Sequence, residues 1–379
     1  MIDILINQVD EHNESNILAT QEFKPNLVYF IKDKDSEEKM KTLRLYYEKN
    51  FKKIKIEELL VEEGDKERLE KIISRLKEKN RNILINLTGG KRINSLILLD
   101  LCIKEKLIAL YINIKKKIIY EFKDNIKIYE KTFEDLEIDD IVKASGGKII
   151  EDSSELCNKK DLIYFAEKIS SNLELWHKYK QQLYESSIFE HDSNETQRIY
   201  IHTQTLEDEE INLLDKILSK FKEMNEISYK KEKNRVVVNF NNEYLKAFIF
   251  KSGTWLEIET NKLINSIEEI DEAKNGVMFL WNDENQSVRN ELDVVAVKDS
   301  VPIFISCKDS DKYNERALNE LNVYATKFGG ENSYKILVAT KEPIKSPVRV
   351  RAKEMGIHLI IFDGNEEKLI KEIKSIINN

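Results

Sequence analysis

The strongest constraint on the fold is an alternation that runs through the first 113 residues. Short apolar runs stand at "IDILIN", "LVYFIK" (27–32), the alternating "KKIKIEELL", "NILINLT" (82–88) and "LIALYIN" (107–113). Amphipathic segments separate them. "SEEKMKTLRLYYEKN" (36–50) has Ser36 as N-cap and Met40, Leu43 and Tyr47 on one face. "DKERLEKIISRLKEKN" (65–80) is capped by Asp65, and "INSLILLDLCIKE" reads as a buried helix. Strands that are apolar along their whole length must be covered on both faces, and the intervening helices provide the cover. The alternation therefore predicts a parallel, Rossmann-like α/β sheet. "KKIIYEF" and "NIKIYEK" follow as a hairpin around Asp124–Asn125, which closes this domain at about residue 140.

Residues 141–225 read as a helical connector, broken by "SGGK" at 145–148. From 226 onward the pattern returns to α/β. "RVVVNF" and "YLKAFIF" read as paired strands and 254–270 as a helix. Strands are expected at 276–281, 291–298 and 301–307, with a turn at 299–302. A helix over 314–327, strands at 334–340 and 357–362 and a closing helix complete the expected domain, 226–379. Trp176, Trp255 and Trp281 fall in apolar patterns and are expected in the core or in a dimer interface.

The net charge of −8 gives no global basic signature, so any nucleic-acid surface must be local. Three well-separated cysteines, Cys102, Cys157 and Cys307, argue against a disulfide framework and for a reducing cytoplasm. No CxxC or HxxxH pair occurs, which excludes the usual structural zinc patterns. No leader is recognised, and no stretch approaches the roughly 18 uninterrupted apolar residues of a membrane span.

Two clusters carry chemistry. "NLTGGK" (86–91) ends the fourth strand and opens a helix, at the sheet edge where α/β proteins bind ligands. Gly89 and Gly90 would let backbone approach an anion, Thr88 adds a hydroxyl, and Lys91 and Arg92 add charge. The spacing is neither GxxxxGK[ST] nor GxGxxG. The first strand ends in the polar loop "NQVDEHN" at the same edge. The second cluster is "NELDVVAVKDSVPIFISCKDS" (290–310). Residues i and i+2 of a strand share a face, so Glu291 projects with Asp293, and Ser306 with Lys308. Glu257 lies on the upstream helix, and Glu320 and Tyr324 lie one turn apart on the downstream one. Phosphodiester hydrolysis needs oxygen ligands for Mg²⁺ or Mn²⁺ and a cation beside the phosphate. Asp293 is the expected central ligand, with Glu257, Glu291 and the Cys307 carbonyl in support. Lys308 is the expected cation.

"GTWLE", "NELDVV", "FISCK" and "ALNELNVYATKFGG" resemble the PD-(D/E)xK nuclease half of the CARF-domain nucleases of type III CRISPR systems, and "NLTGGK" resembles their ligand motif. The resemblance implies a CARF domain, a connector and a restriction-endonuclease-like domain. It further implies a homodimer that binds one cyclic tetra-adenylate across its two-fold axis and cuts single-stranded DNA, RNA or nicked duplex. By position, Asp293, Lys308, Glu257 and Glu291 would be catalytic. Thr88, Gly89, Gly90 and Lys91 would meet the adenylate, with Gln8, His12 and Asn13 from the first loop as further candidates. The chain departs from the general pattern at Ser306, where that pattern has an acid.

Three rival readings have sequence counterparts. A metal-independent HEPN ribonuclease needs Arg and His in one helix, and Arg351 and His358 have suitable spacing. A ligand-responsive transcription regulator needs a basic recognition helix, whereas "LEDEEINLLDK" is acidic. A ring nuclease that only degrades the cyclic adenylate would leave the acid–lysine hairpin without a use.

Overall fold

The computed structural model describes residues 2–79, 82–251, 253–281 and 289–378. The N-terminal sheet contains β1 (Ile4–Gln8), β2 (Leu27–Lys32), β3 (Lys55–Leu60), β4 (Ile83–Asn86), β5 (Ile108–Asn113), β6 (Ile118–Phe122) and β7 (Ile126–Glu130). Their order is β3-β2-β1-β4-β5-β6-β7. The first five strands pair in parallel and the last two add antiparallel. Leu5, Ile6, Val28, Phe30 and Ile85 are fully buried between the helical layers, as continuous apolar strands require. The strand order reverses between β1 and β4. A crevice therefore opens outside the carboxyl ends of these two strands, beside Gln8 and residues 86–90.

The middle of the chain departs from the helical expectation. Helices Lys160–Ser170, Leu173–Tyr179 and Asp208–Glu223 are present, but so are β8 (Gly147–Glu151), β9 (Phe189–His191) and β10 (Arg198–His202). β9 and β10 join β11 (Ile227–Lys231) and β12 (Arg235–Phe240) in a four-stranded antiparallel sheet, order β11-β12-β10-β9. "RIYIH" buries Ile199 and Ile201 in alternation, a five-residue signal easily masked by the helices on either side. "YLKAFIF" is likewise a helix, Glu243–Phe250, and not a strand. The Asn242 side chain accepts from the Leu245 N–H (2.9 Å), and Leu245 and Phe248 bury one face at helical spacing.

The C-terminal sheet contains β13 (Glu272–Trp281), β14 (Arg289–Lys298), β15 (Val301–Lys308), β16 (Tyr334–Ala339) and β17 (Ile357–Ile361). β8 extends it, in the order β17-β16-β15-β14-β13-β8. Helix Ile138–Ala144 joins the two halves. Ile138, Ile141 and Val142 belong to one apolar cluster with Leu5, Phe30 and Tyr47 on one side and Phe279, Phe304 and Phe328 on the other. The other face of the C-terminal sheet packs Val294, Ala296, Ile303 and Ile305 against Trp255 and the middle region. Trp255 is a core residue, as expected, and Trp176 packs edge-on against it; the side chain of Trp281 lies outside the described residues. Among the described residues no helix is long and apolar enough to cross a membrane.

Candidate active site and ligand edge

β14 and β15 form an antiparallel hairpin in which Val294 faces Ile305 and Lys298 faces Val301. Its turn is shorter than expected: Asp299 (φ 52°) and Ser300 (φ 63°) alone make it. Two left-handed residues match the twist of the strands and lock the register. That register brings the Asp293 carboxylate to the end of β15. Its Oδ2 accepts the Ser306 hydroxyl (3.0 Å) and the Cys307 N–H (2.6 Å), and lies 3.4 Å from Lys308 Nζ. Strand alternation puts Asp293, Ser306 and Lys308 on one face of the sheet.

Glu257 enters from helix Thr254–Asn265, whose N-cap is Gly253 at φ 94°, a conformation that favours glycine. Glu257, Glu291, Asp293, Ser306 and Lys308 line one cavity of about 370 Å³. Lys251, Glu320 and Tyr324 complete its wall. The Glu257 carboxyl is pushed up by burial first and by the neighbouring charge of Asp293 second, with Glu291 adding to both. Burial, the largest single influence, would lower the Lys308 ammonium, but its acidic neighbours, Asp293 foremost by charge and hydrogen bond and Glu257 after it, together hold the lysine above its usual range. The Cys307 thiol is fully buried, directed at the Thr260 hydroxyl (3.6 Å) and pushed far up by burial, so it is no nucleophile. Among the described residues no three His, Cys, Asp or Glu side chains are arranged to hold an ion by themselves.

At the other edge the expected residues divide. Gln8 is buried beside the loop 88–91, with Nε2 on the Ser95 hydroxyl (2.7 Å). Gly90 has φ 82°, and a Cβ there would sit 2.4 Å from Gln8 Cβ, so no other residue fits without displacement. Lys91 is exposed, 3.7 Å from the Asp33 carboxylate. The Thr88 hydroxyl is committed inside the protein: it donates to Asn86 Oδ1 (2.6 Å) and accepts the Ile112 N–H (2.8 Å). Asn13 is likewise committed, donating to the Asp10 and Ala144 carbonyls (both 2.9 Å). The His12 Nδ1 meets the Ser145 hydroxyl (3.2 Å), and its ring lies against Gly330, at the junction with the C-terminal domain.

Asp10 escaped the reading of the sequence. Its carboxylate accepts the Gly90 N–H (2.9 Å), the donor that a free anion cradle would offer to phosphate. Glu14 also escaped it. Buried against Ser145, its carboxyl is pushed up to about 8 by burial. Neither residue lies in a recognisable motif; only the polarity of "NQVDEHNE" hints at them. The rival Arg351–His358 pair is split between helix Pro347–Glu354 and β17, so the two do not share a helix.

Residues 4–140 match the family model described as the Card1 CARF domain, and residues 244–379 match that of the Card1-like endonuclease domain. No curated protein matches the chain in sequence. Among solved structures the fold is similar to Can2 from Sulfobacillus thermosulfidooxidans in complex with cyclic tetra-adenylate (TM-score 0.76, 18% identity, all of both chains covered). It is similar to protein VC1899 from Vibrio cholerae (TM-score 0.78, 19% identity, 99% and 98% covered). It is also similar to a type III CRISPR defence DNA nuclease activated by cyclic oligoadenylate (TM-score 0.55, 14% identity, 92% of this chain and 47% of that one).

Proposed function

We propose that this chain, which belongs to the CARF-domain nucleases of the Card1 type, is a cyclic tetra-adenylate-activated, metal-dependent endonuclease of type III CRISPR defence. It acts as a homodimer on single-stranded DNA and RNA. The domain limits are taken as 1–140 for the sensor, 141–225 for the connector and 226–379 for the nuclease, with β11 and β12 of the last span completing the antiparallel sheet of the connector. One observation carries the catalytic part: Asp293 is pinned to the end of β15 beside Lys308, in a cavity shared with Glu257 and Glu291.

The donor chemistry fits a hard divalent cation. Burial and two neighbouring carboxylates raise the proton affinity of Glu257, and a cation placed among them relieves the same repulsion. Asp293, Glu257 and the Cys307 carbonyl would hold Mn²⁺ or Mg²⁺, with Glu291 in reserve. An ion held by these residues would supply Lewis acidity toward water and the phosphodiester. The chain's own contribution is positional. Three donors converge on Asp293 Oδ2, which fixes that carboxylate. Lys308 stays protonated beside it and stabilises charge on the phosphate. Ser306, standing where the general pattern has an acid, supplies a hydrogen bond to Asp293 in place of a ligand.

The Can2 structure, which carries cyclic tetra-adenylate, supports the choice of activator. The crevice at Gln8, Gly89, Gly90 and Lys91 is the proposed adenylate site, with Thr88 and Asn13 shaping it from within and His12 on its flank toward the nuclease. The test is cleavage of labelled single-stranded DNA and RNA with Mn²⁺, with and without cyclic tetra-adenylate. Cleavage that requires both supports the reading. Cleavage that survives EDTA would sink the metal site, and cleavage indifferent to the activator would sink the switch. Duplex binding without cleavage would point instead to a ligand-responsive regulator.

A further inference from the structure

The residue after Lys308 points to the opposite face of the sheet and ends in the most heavily bonded carboxylate of this region. The Asp309 side chain is wholly buried, at 0% exposure. Its Oδ2 accepts both the Trp176 indole N–H (2.7 Å) and the Trp255 indole N–H (2.9 Å). Its Oδ1 accepts the Thr340 hydroxyl (2.7 Å) and lies 3.1 Å from Lys180 Nζ and 3.3 Å from His177 Nε2. Lys180 Nζ also donates to the Asp309 carbonyl. Burial alone would raise the carboxyl, but the two indoles, Lys180 and Thr340 outweigh it and keep the group ionised. A carboxylate offers about four lone-pair sites, and these donors fill them, so Asp309 has no capacity left for a metal.

The origins of the donors give the cluster its meaning. Trp255 stands two residues before Glu257 on the same helix. Asp309 follows Lys308 directly. Thr340 follows β16, and its N–H donates to the Lys308 carbonyl (3.1 Å). Trp176, His177 and Lys180 come from helix Leu173–Tyr179 and the turn after it, outside the span that matches the endonuclease family. One buried carboxylate thus joins the helix that bears Glu257, the strand that bears Lys308 and the middle region.

We infer that Asp309 is the positioning residue that registers Glu257 against Lys308, and that the middle region, through Trp176 and Lys180, completes the nuclease site. This rests on the nuclease reading above. The competing account is a buried ion pair that serves stability alone. Such a pair would change the unfolding midpoint and leave the turnover of folded enzyme untouched.

The experiment uses the full chain, single-stranded substrate, Mn²⁺ and cyclic tetra-adenylate. It measures kcat, KM, activator affinity and the thermal midpoint for wild type, Asp309→Asn and Trp176→Phe. Phenylalanine keeps an aromatic ring and removes the N–H, so Trp176→Phe decides the matter if Asp309→Asn does not fold. A misplacement of about 1 Å between reacting groups costs up to roughly 100-fold. Asp309→Asn is expected to lose about tenfold or more in kcat and Trp176→Phe several-fold. KM and activator affinity should stay within about twofold of wild type. Wild-type kcat in both variants, with or without a lower midpoint, overturns the inference. A slow Asp309→Asn beside a fully active Trp176→Phe overturns the part given to the middle region. A silent wild type removes the nuclease reading and this inference with it, and so marks the two failures apart.

Discussion

The two candidate functional edges of this molecule lie at the ends of two sheets, and most of their polar groups behave in opposite ways. At the C-terminal edge, Glu257, Glu291 and Asp293 face one cavity and repel each other, so burial and like charge drive Glu257 toward its protonated form. At the N-terminal edge the polar groups satisfy one another. Asn86 donates to Asn7 and Asn16 and accepts from Thr88, Thr88 accepts from Ile112, and Asp10 accepts from Gly90. Among the described residues, Gln8 Oε1 and Asn7 Nδ2 are buried there without a partner. The difference teaches how each edge works. Mutually repelling carboxylates around a cavity suit the cation chemistry proposed for that edge, whereas a lattice of amides bonded mostly to one another suits a backbone shape held for recognition.

The contrast breaks first at Asp293. Asp293→Ala should lower cleavage by about a thousandfold or more and leave cyclic tetra-adenylate affinity unchanged, as paired rate and binding titrations would show. Normal cutting by this variant would place the chemistry elsewhere. Gly90→Ala probes the lattice. The new Cβ must displace Gln8 at a left-handed position, so activator affinity should weaken by about 1–3 kcal/mol while maximal turnover at saturating activator is kept. Unchanged affinity would remove the loop from the ligand site.

Glu14 sharpens the comparison, because it is a buried acid whose neighbours are the Ser145 hydroxyl and, 4.0 Å away, the His12 Nδ1. Its folded-state carboxyl sits at about 8, above an ordinary 4.5. Folding therefore takes up a proton between these values, and wild-type stability falls as pH rises from about 4.5 to 8. Glu14→Gln should flatten that slope and be more stable than wild type at pH 8, by on the order of 1–3 kcal/mol in denaturant unfolding. A variant with the wild-type slope would show that Glu14 does not control it. The smallest effect is expected at Lys91, which is exposed and only loosely paired with Asp33. Lys91→Ala should weaken activation by about fivefold, with the loss shrinking at high salt.

Much of this was legible in the chain. The N-terminal alternation marked the five parallel strands because four of them are apolar runs and the third, "KKIKIEELL", alternates at strand period. The Asp293–Lys308 spacing marked the hairpin because strand periodicity puts Glu291, Asp293, Ser306 and Lys308 on one face. The four-stranded sheet of the middle region was not legible, since "FEH" and "RIYIH" are too short to outweigh neighbouring helical periodicity. "YLKAFIF" was misread because a segment with one polar residue, Lys246, shows no clear period until an N-cap, here Asn242, selects the helix.

Local pattern, then, determined which elements form and which side chains each presents, because both depend on residues a few positions apart. It also marked the candidate site residues on the two neighbouring strands, while packing brought Glu257 to them from its helix. Partners at long sequence distance were decided by packing. Among these are Asp10 on Gly90, His12 against Gly330, and Asp309 beneath the indoles of Trp176 and Trp255. No periodicity encodes a contact across 133 residues, such as the one between Trp176 and Asp309. Burial of the apolar faces sets that contact, and the hydrogen bonds then follow from whichever polar groups the buried faces bring together.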